Sequence, residues 1–92
     1  MRRALIVVDL QNDFCPGGAL AVPGGDEVVD VANELLAEIP LSVLTQDWHP
    51  GGHVSFASSY DRQAYELDDS VDPPRVLWPD HCVAGSPGAD FH

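Results

Sequence analysis

The stretch that decides the fold is "RALIVV", residues 3–8, which runs straight into Asp9. Its apolar residues stand at consecutive positions instead of alternating. That pattern predicts a parallel strand buried on both faces, rich in β-branched side chains and ending at Asp9. Residues 10–25, "LQNDFCPGGALAVPGG", follow with two Pro and four Gly, and predict a loop long enough to suggest a functional role. Residues 26–39, "DEVVDVANELLAEI", predict a helix. Asp26 is suited to cap its N-terminus, and Glu27 to sit near the positive end of its dipole. Val28, Val31 or Ala32, Leu35 and Ile39 share one face, and Pro40 ends the helix. Residues 41–45, "LSVLT", then predict a second short strand. Strand, helix and strand with short joins form a right-handed βαβ unit.

This topology places the reactive groups. In open parallel sheets, ligands bind beyond the carboxyl ends of the strands. Asp9 follows the first strand and Asp47 the second, so both are expected at one rim of the sheet. The rest of the chain is plainer. Residues 46–75 are polar and predict an irregular, exposed segment; "VLWP", 76–79, predicts a short extended piece; and "DHCVAGSPGADFH", 80–92, is turn-like.

Composition excludes several classes. The chain of 92 residues carries a net charge of −11, with four Arg and no Lys. Such a chain lacks the cations that phosphate contacts to nucleic acid require, and an anionic membrane surface would repel it. No apolar run approaches the roughly 20 residues that span a bilayer. The amino-terminal apolar run is too short for a signal peptide and meets Asp9 at once, which leads to the expectation of a cytoplasmic protein. Without a secretion signal, Cys15 and Cys82 are expected to be small buried hydrophobes and not a disulfide.

Residues 45–57, "TQDWHPGGHVSFA", hold the densest chemistry. Asp47 and His49 are two apart, so in an extended segment they point to the same side. His53 follows a Pro-Gly-Gly turn that can fold it back toward them. His81, between Asp80 and Cys82, is the distant candidate. Carboxylate and imidazole together suit Zn²⁺, Fe²⁺ or Mn²⁺, and a catalytic metal commonly has three protein ligands with open positions. Asp47, His49 and His81 fill that count, with His53 as a fourth ligand or a group behind the others. The same spacing also fits exposed turn histidines, with Asp47 capping a local turn. Asp9, at the end of a buried strand, suits a general base, or it simply accepts bonds from amides of the next loop. Phe14 and Trp78 can wall a flat ligand or belong to the core.

Three stretches, "ALIVVDLQNDFCPGGALAVPGGDEV", "TQDWHPGGHVSFA" and "LWPDHCVAGSPGADFH", closely resemble the nicotinamidase family of isochorismatase-like cysteine hydrolases, in order and at plausible spacing. The resemblance implies a Rossmann-like three-layer α/β/α fold with a mostly parallel sheet. It implies that Asp9 is the aspartate of an Asp-Lys-Cys triad, deprotonating the cysteine. Asp47, His49 and His81 match the metal ligands, and His53 matches a histidine that ligates in some members. Phe14 and Trp78 match aromatics that flank a pyridine ring. The implied reaction is hydrolysis of a small-molecule amide, nicotinamide, to nicotinic acid and ammonia through a cysteine thioester, with a divalent Zn, Fe or Mn ion positioning the ring nitrogen. Such chemistry belongs to NAD salvage.

The chain departs from the family in two ways. It has no Lys, and neither Cys15 nor Cys82 lies in the nucleophile's motif. The physical reading agrees, since a parallel strand apolar on both faces needs helices on both, and one convincing helix is present. Residues 1–92 are therefore expected to form the amino-terminal part of a single isochorismatase-like domain, inactive alone. The alternatives are a related amidase with another substrate and a non-catalytic metal-binding remnant. The oligomeric state stays open, a homo-oligomer included.

Overall fold

A computed structural model describes residues 2–92. Strand β1, Leu5–Val7, pairs in parallel with β2, Ser42–Leu44, in the register Leu5↔Ser42, Ile6↔Val43, Val7↔Leu44. Hydrogen bonds carry the pairing past the strands: Leu5 N–H donates to Leu41 O at 2.9 Å, Thr45 N–H to Val7 O at 2.8 Å, and Asp9 N–H to Thr45 O at 3.2 Å. The ladder thus ends with Thr45 bonded to both Val7 and Asp9, and Asp47 is two residues further on. Helix α1, Val28–Glu38, connects the two strands, completing the βαβ unit that the sequence predicts.

The helix begins differently from expectation. Asp26 does not cap it; it lies inside a 3₁₀ turn, Gly25–Glu27, that leads into α1. Gly24, at φ 69° in the left-handed region, starts this turn, and Glu27 N–H bonds back to Gly24 O at 3.0 Å. Backbone groups therefore satisfy the entry, and no side-chain cap forms. Ile39 is buried and its N–H closes the helix on Leu35 O at 2.9 Å.

Burial on both faces of β1 is not seen within the described residues. Ile6 is 63% exposed and Val8 68%, while Leu5 and Val7 are half-buried. Val28 and Val31 on α1 are also exposed. These side chains line an open apolar groove of about 420 Å³, shared with Phe14 and Val22 from the first loop. One helix and a two-stranded parallel sheet cannot cover both faces of a strand, so among the described residues the apolar groove stays open.

The segment expected to be irregular holds more order. A 3₁₀ turn, Ala57–Tyr60, is followed by an antiparallel pair, β3, Leu67–Asp68, with β4, Arg75–Val76. Buried Asp68 pins this pair: it accepts from the Ser70 hydroxyl at 2.6 Å and from Arg75 Nε at 3.0 Å. The bonds from Ser70, then Arg75, hold its carboxyl below the usual range. A last 3₁₀ turn covers Pro87–Ala89.

The deepest side chains are Phe56, Leu77, Gln11, Cys15 and Cys82, all from segments outside the parallel sheet and helix. The core is thus built mainly by loops at the carboxyl rim. Leu77→Ala in the full-length protein should lower unfolding free energy by about 2–4 kcal/mol, and Val76→Ala, at 38% exposure, by less than about 1 kcal/mol. Urea denaturation of both variants checks this.

Candidate metal centre at the sheet rim

Asp9 leaves β1 with φ 52°, a left-handed turn that Asp tolerates better than most residues. Thr45 holds its carboxylate: the Thr45 hydroxyl donates to Asp9 Oδ1 at 2.6 Å and accepts from Asp9 N–H at 3.0 Å. The end of β2 thereby fixes the acid at the end of β1.

Two residues beyond Thr45, Asp47 meets both nearby imidazoles. Asp47 Oδ1 lies 3.5 Å from His49 Nε2, and Oδ2 lies 3.5 Å from His81 Nε2. Ligand atoms of Asp47, His49 and His81 all fall within 4.8 Å of one another, a spacing that one cation can bridge. His81 arrives from a separate loop, and backbone pairing brings it there. His49 N–H donates to Cys82 O at 2.8 Å, and Ala84 N–H donates to His49 O at 2.7 Å. Each ring is also oriented from behind. His49 Nδ1 faces His81 O at 3.2 Å, and His81 Nδ1 faces Pro79 O at 2.7 Å. A carbonyl can only accept, so Nδ1 carries the hydrogen and each Nε2 keeps its lone pair for the shared centre.

His53 stands beside this cluster and not in it. Its ring centroid is 4.6 Å from that of His49, but its Nδ1 accepts from Ser55 N–H at 3.1 Å and meets the Ser55 hydroxyl at 2.7 Å. A backbone N–H can only donate, so the neutral ring carries its hydrogen on Nε2. In that tautomer Nε2 of His53 is a donor, whereas Nε2 of His49 and of His81 keeps a lone pair.

The aromatic residues divide. The Phe14 ring lies 5.9 Å from the His81 ring, at the edge of the cluster. The Trp78 ring packs edge-on against Tyr65 at 6.2 Å, and among the described residues no ring contact joins it to the imidazoles. Phe56, which the sequence reading passed over, is fully buried with three histidine rings around it, at 5.1 Å for His49, 5.7 Å for His53 and 5.5 Å for His81. The spacing of a lone Phe after "HVS" carries no sign of such a role.

Two more residues that the reading missed tie the loops together. Asp13 accepts from Ala19 N–H at 3.1 Å and from Cys82 N–H at 2.7 Å, linking the first loop to the residue after His81. Gln11, fully buried, bonds the backbone of Asp47. Cys82 itself has a strained left-handed backbone, φ 46°. Burial pushes its thiol up, and Asp47, Asp13 and Asp9 push it further, to about 12. Burial, and then Asp26, likewise raises the Cys15 thiol. Both shifts run opposite to the lowered pKa of a nucleophilic cysteine.

Comparison with known proteins gives this arrangement a family. The isochorismatase domain model matches residues 3–92, and the chain belongs to that family. It is 51% identical to the nicotinamidase of Escherichia coli over 94 residues, covering 98% of this chain and 44% of that protein. A solved nicotinamidase/pyrazinamidase from Acinetobacter baumanii superposes with a TM-score of 0.84 at 46% identity, over 97% of this chain and 44% of that one. The pyrazinamidase of Pyrococcus horikoshii, solved in complex with zinc, superposes at 0.74 with 42% identity, over 96% of this chain and 43% of that one. The chain thus spans less than half the length of these relatives.

Because both thiols are buried and protonated, neither Cys15 nor Cys82 should react with a disulfide reagent such as DTNB at pH 8 in the native protein, while both should react in denaturant. Mass mapping of labelled peptides reads this directly.

Proposed function

We propose that the protein containing these residues is a metal-assisted hydrolase of a planar aromatic amide, converting nicotinamide and water to nicotinic acid and ammonia. The observation that carries this reading is the convergence of Asp47, His49 and His81 within 4.8 Å, in a chain half identical to a nicotinamidase. The donor set fits a divalent ion of the Zn, Fe or Mn type, being one carboxylate and two imidazoles with free Nε2 lone pairs. When bound, such an ion supplies a Lewis-acidic anchor for a ring nitrogen. His53 stays outside the ligand set. Phe14, against His81, offers one apolar wall for a flat ring, and Trp78 is the second aromatic assigned to it.

Asp9 is the proton acceptor. Its carboxylate, aimed by Thr45, takes the proton of the attacking cysteine thiol, which the rest of the domain supplies together with a lysine. The thiolate adds to the carboxamide carbon, Asp9 passes the thiol proton to the nitrogen, the C–N bond breaks, and ammonia leaves. Water then cleaves the thioester. The reaction belongs to NAD salvage in the cytoplasm. The described residues contain no helix long and apolar enough to cross a membrane.

The test is ammonia release from nicotinamide by the full-length protein, with pyrazinamide as a parallel substrate. Activity should vanish in chelator and return with Zn²⁺, Fe²⁺ or Mn²⁺. Asp9→Asn should lower kcat at least 10²-fold, the scale of a lost general base, and His81→Ala should abolish metal retention. Turnover that is indifferent to chelator, or confined to an unrelated amide, would overturn the proposal. The 92-residue chain alone should release no ammonia.

A further inference from the structure

We propose that Gln11 is the positioning residue of the metal centre, setting the aim of Asp47 before any ion arrives. This rests on the reading of Asp47, His49 and His81 as metal ligands. Gln11 is fully buried although its side chain is polar. Its Oε1 accepts from Asp47 N–H at 2.8 Å, and its Nε2 donates to Asp47 O at 2.8 Å and to Ala89 O at 2.7 Å. The partners fix the amide's orientation, because Asp47 N–H can only donate and the two carbonyls can only accept. Both Nε2 hydrogens are therefore used.

One side chain thus grips both backbone polar groups of one residue. The N–H and C=O of Asp47 bracket its Cα, so holding both sets the direction in which Cβ and the carboxylate project. The grip works like one rung of a sheet ladder at a place where no strand is present. It also spans the fold, linking residues 36 positions apart at Asp47 and 78 apart at Ala89. Gln46 donates to the same Ala89 carbonyl at 2.7 Å. Gln11 comes two residues after Asp9, and its own N–H bonds Asp9 O at 2.9 Å, so the acid and the ligand are set by one short segment. Glu cannot substitute, since its second oxygen would face two carbonyls with no hydrogen to offer.

The experiment is an equilibrium zinc competition titration on the full-length protein, using a chelating dye. Gln11→Leu and Gln11→Glu are compared with Ile39→Ala, a buried truncation at the far end of α1. Gln11 variants that fold by circular dichroism should bind zinc at least tenfold more weakly, the scale seen when groups that orient ligands are lost, and Ile39→Ala should match wild type. A folded Gln11→Leu within threefold of wild type would overturn the inference. If neither Gln11 variant folds, hydrogen exchange in metal-free wild type decides. The Asp47 amide should be protected at least a hundredfold before zinc is added; exchange at the unfolded rate until zinc arrives would refute prior positioning. If wild-type protein binds no zinc, Fe²⁺ or Mn²⁺, the failure lies with the metal reading, and the same amide protection still tests the grip of Gln11.

Discussion

The parallel pairing of Leu5–Val7 with Ser42–Leu44 is the constraint on which the site depends. Parallel strands finish at the same rim, so groups 36 residues apart, such as Asp9 and Thr45, are brought within hydrogen-bonding distance there. The register sets which groups meet. With Val7 opposite Leu44, Asp9 stands by Thr45, and Asp47 lies within reach of Gln11. A slip of one residue would turn every side chain of a strand to the other face. It would separate Asp9 from its hydroxyl and Asp47 from its amide.

A second pairing brings in the third candidate ligand. The backbone of His49 bonds on both sides to the loop of Cys82 and Ala84, which sets His81 opposite Asp47. The buried groups of this rim include Gln11, His81 and Cys82 beside Phe56 and Leu77, and each buried polar side chain has a partner. Each such hydrogen bond adds only about 1 kcal/mol net, but leaving one unmade costs more. The network therefore favours one arrangement strongly over its neighbours. Three carboxylates, Asp9, Asp13 and Asp47, act on the Cys82 thiol, so negative charge is concentrated where a cation would be held.

Much of this was legible in the sequence because periodicity and topology are local signals. Consecutive apolar residues at 4–8 and the pattern of 28–39 gave the βαβ unit, and the rim position of Asp9 and Asp47 followed from it. His81 followed from its residue type and from the resemblance of "LWPDHCVAGSPGADFH" to the family. What stayed hidden depends on geometry that no spacing encodes. Gln11 and Asp13 act on backbone groups of distant loops, and any polar residue in a loop would look the same in sequence. Phe56 looked like one apolar residue among many. The β3–β4 pair was missed since each strand is only two residues long and its anchor, Asp68, reads as one more surface acid. The cap of α1 was misplaced because a glycine-initiated 3₁₀ turn took over the role that Asp26 seemed suited to fill.

The central claim is that one divalent ion is held by Asp47, His49 and His81. Crystals of the full-length protein grown with zinc, with data collected on both sides of the zinc absorption edge, test it most directly. The account predicts one anomalous peak bonded to Asp47 and to Nε2 of His49 and His81, at about 2.0–2.2 Å, with His53 outside bonding distance. A peak bonded through His53 in place of His81, or strong zinc signal only elsewhere on the molecule, would contradict it.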